Sequence, residues 1–218
     1  MFSKNIKLSL IAQGVGEETA VKFFKIAVES VKKGVSKSQN DFKNDPEQYA
    51  FRSAKSSWFN WSIKKLFIRS VLLDENLRTK VRHLKSHGVD YFVLEGKAIV
   101  CFKKMDIKSR VSSFYSKRFK DLISGKAVHY SKAMLDNLAK MGVNKPLPIY
   151  FAGYVLDYAN RLSDIRLVFY QDNAVAYEKS LMKLFETSLF DSDIEQTQET
   201  NDVLVTLKNK DAAKKKSS

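Results

Sequence analysis

The chain holds three histidines, His83, His87 and His129, and one cysteine, Cys101. His83 and His87 stand four apart on a predicted helix, so both imidazoles can reach one metal ion from the same face. A zinc site needs three or four ligands, and nothing in the sequence brings Cys101 or His129 beside them. Imidazoles near a helix C-terminus are favourable without a metal. Cys101 lies between Val100 and Phe102 in an apolar, strand-like run, where a buried thiol is inert. Gly14-Val15-Gly16 is too short for a phosphate loop and follows no strand. No Ser-His-Asp arrangement can be assembled. The expectation is a chain without metal or cofactor.

Cations are plentiful instead. Lys and Arg number 38 against 24 Asp and Glu, a formal charge of +14. Residues 51–85 carry nine bases and two acids, and residues 101–130 carry eight bases and two acids. Arg78, Arg82 and Lys85 are four and three apart, which puts them on one face of a predicted helix. Lys64, Lys65 and Arg69 form a second patch, and Lys117 and Arg118 belong to the second basic segment. Such faces neutralise phosphates in a salt-dependent, sequence-indifferent way. An acidic protein or an anionic membrane surface also answers this charge, and a plain solvated surface needs no partner at all. Base reading has no support, because no RNA-recognition, zinc-finger or helix-turn-helix signature is present. Trp58, Phe59, Trp61 and Phe67 lie close to Lys64 and Lys65 and suit a stacking platform for single strands. The same spacing suits a helix core, to which Trp58 is assigned; Trp61 stays open between the two.

Two nuclease patterns can be laid on these residues. Arg78-x4-His83 and Arg82-x4-His87 resemble the Arg-x4–6-His spacing of HEPN-type ribonucleases. That resemblance implies an Arg holding the phosphate and a His supporting attack by the ribose hydroxyl. It also implies an all-helical fold, whereas nearly half of this chain reads as strand. About one helical turn separates such pairs in any Arg-rich helix. Asp90, Glu95 and Lys97 resemble the acid…Glu-x-Lys pattern of PD-(D/E)xK nucleases, which implies two carboxylates on a divalent metal and a Lys steadying water. Glu95-Gly96 is better read as a hairpin turn, which would keep Glu95 and Lys97 off one strand face. Arg78, Arg82, His83 and His87 are therefore the catalytic candidates, with a ribonuclease as the alternative function.

The elements that must position these side chains follow from period and punctuation. Residues 17–33 read as a helix with Val21, Phe24, Val28 and Val31 inward and Gly34 as its stop. Residues 36–44 read as a polar loop. Asp45-Pro46-Glu47-Gln48 has the chemistry of a helix start, and the helical pattern runs on to about Leu73 with a break near Ser56-Ser57. Its apolar members include Phe51, Phe67 and Leu72. A further helix spans about 74–86. Tyr91–Leu94 and Lys97–Phe102 then form a β-hairpin, whose second strand is apolar on both faces and so central in a sheet. Residues 106–124 and 131–141 return to helix, with Tyr115 and Leu135 counted inward. Three strands follow, 149–156, 164–170 and 174–178, as an antiparallel meander. Leu181–Phe185 closes with a helical turn. From Glu186 to Asp202 there are six acids and no base, and from Lys208 to Lys216 five lysines and one acid. The expected fold is α+β with one largely antiparallel sheet, in a single domain over 1–190 (1–88 mainly helical, 89–185 mixed). Residues 191–218 read as a disordered acidic-then-basic tail.

A single cysteine excludes an internal disulfide and fits a reducing compartment. Met1 to Leu10 lacks the apolar core of a secretory signal, and no run approaches the ~18 apolar residues of a membrane span. A cytoplasmic chain is expected. The stretch Leu147-Pro148-Ile149-Tyr150-Phe151-Ala152-Gly153-Tyr154-Val155-Leu156-Asp157, followed by Ile165–Phe169, is similar to small bacterial proteins encoded beside Xre-type repressors or Zn-peptidase-like antitoxins. The resemblance implies one half of a toxin–antitoxin or phage-defence module and transfers no catalytic residue. The functional expectation is a basic binding protein that docks a partner protein, the cognate toxin or antitoxin. DNA or RNA would meet its basic face through Lys64, Lys65, Arg69, Arg78, Arg82, Lys85, Lys117, Arg118 and Trp61. A homo-oligomer is compatible with this, and a general nucleic-acid-binding protein without a partner is the other alternative.

Overall fold

The computed structural model describes residues 9–86, 89–111, 113–124, 132–144 and 146–185. In chain order the elements are α1 (Glu17–Asn44), α2 (Arg52–Leu73), α3 (Glu75–Lys80), β1 (Val81–Ser86), β2 (Val89–Leu94), β3 (Ala98–Met105), α4 (Lys117–Ile123), α5 (Lys132–Lys140), β4 (Ile149–Leu156), β5 (Leu162–Gln171) and β6 (Ala174–Ser180). The six strands form one sheet in which spatial order repeats chain order. Four of the five pairings are antiparallel, and β3 runs parallel to β4. A parallel pair cannot be closed by a tight turn; here the connection contains α4 and α5. This is the α+β fold with a largely antiparallel sheet, and β3 is central as its two-sided apolar run requires.

Strand alternation sorts the core onto two faces. Phe92 and Phe102 face the helical hairpin of α1 and α2. There Phe67 meets them at ring-centroid distances of 4.8 and 4.4 Å, and Phe23 lies 5.0 Å from Phe67. On the other face Tyr91, Val93, Ile99, Cys101, Phe151 and Val168 pack with Phe119 and Leu122 of α4 and Met134 and Leu138 of α5. The Gly153-Tyr154 pair in β4 serves both layers. A side chain at Gly153 would fall on Met105, while Tyr154 turns the other way and donates its hydroxyl to Asn60 Oδ1 of α2 at 2.8 Å.

Several elements differ from their sequence reading. Helix α1 does not stop at Gly34, and residues 36–44 are its last turns instead of a loop. Gly34 marks the crossing of α1 over α2: a Cβ there would lie 2.7 Å from Ile63 Cγ1 and 2.9 Å from Ile63 Cα. Beyond it Phe42 is held edge-on against Phe59 at 5.0 Å. Asp45 does cap, accepting from the Gln48 amide at 3.1 Å, but it caps a turn; α2 starts at Arg52 and runs unbroken past Ser56-Ser57.

The predicted helix 74–86 ends at Lys80, and Val81–Ser86 is strand, paired residue for residue from Val81↔Leu94 to Ser86↔Val89. The predicted helix 106–124 is confined to Lys117–Ile123. Before it the Asp106 carboxylate gathers the amides of Lys108 and Arg110, each at 2.9 Å, into a tight loop. Val21, Tyr115 and Leu135, counted inward, are all exposed.

Residues up to Leu181 form one compact unit and a second begins at Met182; the expected tail lies outside the described residues. No helix among the described residues is long and apolar enough to cross a membrane.

Candidate nucleic-acid interface

The Arg/His pairs lose their common helix. Arg78 is exposed on α3, whereas Arg82 and His83 point to opposite sides of strand β1. His87 lies outside the described residues, as does His129. His83 is already engaged. Its ring stacks on Phe92 at 5.0 Å, and its Nε2 lies 3.0 Å from Asp90 Oδ1. Lys64 of α2 closes on the other oxygen, Nζ to Oδ2 at 2.6 Å. The His83 hydrogen bond and then the Lys64 ammonium hold the Asp90 carboxyl well below the usual carboxylate range, against the opposing effect of burial. An ionised carboxylate only accepts, so Nε2 of His83 is the donor in this contact.

Glu95 is the turn residue expected. With φ of 49° at Glu95 and 66° at Gly96, two successive left-handed residues turn the chain within the three-residue connection 95–97 between the paired Leu94 and Ala98. The Glu95 carboxylate reaches back to α1 and accepts from the Gly16 amide at 2.9 Å and the Thr19 hydroxyl at 2.6 Å. Asp90 and Glu95 thus serve separate structural contacts. No group of three or more His, Cys, Asp or Glu among the described residues is placed to hold a metal ion. Cys101 is fully buried, which pushes its thiol up to about 12 and leaves it without thiolate character. Burial lowers the Lys103 ammonium on β3, and the charges of Lys64 and Arg118 add to that effect.

The cations divide into committed and outward-facing groups. Lys64 is tied to Asp90, and Lys80 lies 3.9 Å from Glu95. Lys65, Arg69, Arg78, Arg82 and Lys85 are exposed or nearly so, and among the described residues none of them is ion-paired. They do not form one helix face. Lys65 and Arg69 follow Trp61 along the outer row of α2 at four-residue steps. Arg82 and Lys85 lie on opposite faces of β1, a strand at the edge of the sheet. Lys117 and Arg118 are exposed at the start of α4.

The aromatic residues separate just as clearly. Phe59 and Phe67 are core, at 1% and 0% exposure, whereas Trp61 is 46% exposed. Trp58 is half-buried instead of core, and stacks on Trp61 with centroids 4.7 Å apart and planes 24° from parallel. The stack continues a run of rings, from Phe42 to Tyr49 at 4.8 Å and from Tyr49 to Trp58 at 5.6 Å. Ammonium groups flank it: Lys65 Nζ lies 4.7 Å from the Trp61 ring centre and Lys37 Nζ 5.8 Å from that of Trp58.

The α1 contribution, Lys37, Asp41 and Phe42, was not legible in a stretch read as loop. Fold and surface define a basic α+β chain that carries rings and cations together on the outside of one helix pair. No family model matches it, and neither the curated proteins nor the solved structures contain a match.

Proposed function

We propose that this chain is a non-enzymatic binding protein whose basic surface holds nucleic acid without reading its sequence. The observation that carries this reading is the outward set Lys65, Arg69, Arg78, Arg82 and Lys85, none of them ion-paired among the described residues, while Asp74 and Asp90 are engaged elsewhere. Asp74 caps α3 and pairs with Lys22 at 3.0 Å, and Asp90 holds Lys64. Exposed cations on a helix row and an edge strand can follow a phosphate backbone without a groove-reading element. A ribonuclease of the Arg/His type has less support, since its helix is replaced by a strand and His83 is bound to Asp90.

The test is fluorescence polarisation with labelled DNA and RNA across a salt series. Arg82 and Lys85 lie on opposite faces of β1, so at most four of these cations meet one strand. Four phosphate contacts predict a slope in log affinity against log salt of about −3 on single strands and about −4 on duplex DNA, or about 50- to 150-fold weaker binding at 200 mM than at 50 mM. Absence of binding at 50 mM, or binding indifferent to salt, overturns the proposal.

Membership of a toxin–antitoxin or phage-defence module is proposed on the resemblance of residues 147–169 alone. Gly153 and Tyr154 have full structural uses in β4, so they lend that setting no added weight. Its test is co-purification of this chain with the product of a neighbouring reading frame. A stable stoichiometric complex supports the setting, and separate elution of the two proteins removes it.

A further inference from the structure

We infer that the Trp58–Trp61 stack is a base-stacking subsite, and that the nucleic acid it takes is single-stranded. This rests on the nucleic-acid reading above and narrows its substrate class. An amphipathic helix turns its large rings inward, and α2 does so with Phe59 and Phe67. Trp61 breaks that rule on the same helix. The ring beneath it is fixed: Trp58 donates its indole N–H to Asp41 Oδ2 of α1 at 2.8 Å. Trp61 therefore stands on a rigid ring, with about half of its own surface open. At 4.7 Å between centroids the two indoles already touch, so a base stacks on Trp61 from outside and does not insert between them.

The two lysines supply the rest. An ammonium over an exposed indole contributes about 2- to 5-fold to an equilibrium. A stacked base contributes about 5- to 150-fold. A base therefore displaces Lys65 from the Trp61 face, and the released ammonium lies one turn from Arg69, free to meet a phosphate. Beside the stack, α1 presents an open depression of about 550 Å³ lined by Lys32, Lys33, Ser36, Lys37, Asn40 and Asp41. Its single carboxylate, Asp41, is held below its ordinary range by the Trp58 hydrogen bond and by Lys37. Lys37 pairs with that carboxylate at 3.2 Å and Lys33 lies 3.9 Å from Glu29. Such exposed pairs are weak, so a phosphate chain leading onto the rings exchanges with them. A duplex hides the faces of its bases, so only splayed single-stranded bases can use such a ring.

The experiment compares wild type, Trp61→Ala and Trp61→Phe as full chains. The probes are oligo-dT and oligo-U of about 20 nucleotides, a duplex of equal length and a poly-glutamate peptide of similar charge. Trp61→Ala is expected to weaken binding to both single strands by about 5- to 50-fold while duplex binding changes less than about 2-fold. Trp61→Phe should retain most of the affinity, and unlabelled oligo-dT should quench tryptophan fluorescence in wild type. Equal loss on single strand and duplex, no loss at all, or poly-glutamate binding as tightly as oligo-dT overturns the inference. Salt-dependent nucleic-acid binding that Trp61→Ala leaves intact removes the stacking subsite and spares the broader reading. No binding of either nucleic acid at low salt removes both.

Discussion

Replacing Gly34 by valine is expected to destabilise the protein by about 3 kcal/mol or more, at the upper end of overpacking effects. The added Cβ would lie 2.7 Å from Ile63 Cγ1, and also 2.9 and 3.0 Å from the Ile63 Cα and amide nitrogen. A side-chain tip can rotate away; main chain cannot, so α1 and α2 must separate. Gly34→Ala places the same Cβ but gains up to about 1 kcal/mol of helix propensity, so a smaller loss of about 1–2 kcal/mol is expected. Urea denaturation measures both. In an Ile63→Ala background only the contribution of Cγ1 is relieved, so most of the valine penalty should remain. A Gly34→Ala variant more stable than wild type would show that the crossing has slack. The effect reaches the surface as well, because this crossing sets the distance from Asp41 on α1 to Trp58 on α2.

That crossing also shows what a sequence can and cannot display. Gly34 followed by Ser36, Lys37, Ser38 and Gln39 has the composition of a helix stop and loop. What continues the helix is Ile63, a contact 29 positions away, and no local rule contains it. Residues 77–86 fail differently. Leu77, Val81 and Leu84 satisfy a helical period, yet Val81–Ser86 also pairs in full with Val89–Leu94. Short apolar patterns of this kind fit both periods, and pairing with β2 decides between them. The sheet was legible where turn chemistry is local. Glu95-Gly96 and Asp172-Asn173 both take positive φ, and each joins two strands whose apolar runs were plain. The charge was legible in amount but not in direction. Lys64 and Lys65 are neighbours in sequence, yet one closes on Asp90 beneath α2 and the other lies over Trp61 outside it.

Neutralising Asp90 should separate stability from binding. Asp90 is 11% exposed and Lys64 26% exposed, so Asp90→Asn leaves an ammonium and a histidine N–H facing an amide in a largely dry setting. Removing one member of a buried pair costs about 3–5 kcal/mol; the partial exposure of Lys64 reduces this to about 2–3 kcal/mol. Lys64→Met on its own strands the carboxylate, though His83 still donates to it. The double variant should cost less than the sum of the two by about 1–2 kcal/mol, and strict additivity would mean that the pair contributes no coupling.

The pH dependence has a fixed sign. The folded carboxyl lies below its ordinary value of about 4, so the advantage of wild type over Asp90→Asn is full above that pH and shrinks as the pH falls toward the folded value. The same substitution frees Lys64. If exposed cations on and beside α2 hold nucleic acid, Asp90→Asn should bind single strands more tightly at 50 mM salt and steepen the salt slope by about 0.7. A less stable protein that binds better is hard to produce by damage alone. Affinity that falls in step with stability would instead place the bound strand out of reach of Lys64, which lies beneath α2 and not on the Trp61–Lys65–Arg69 row.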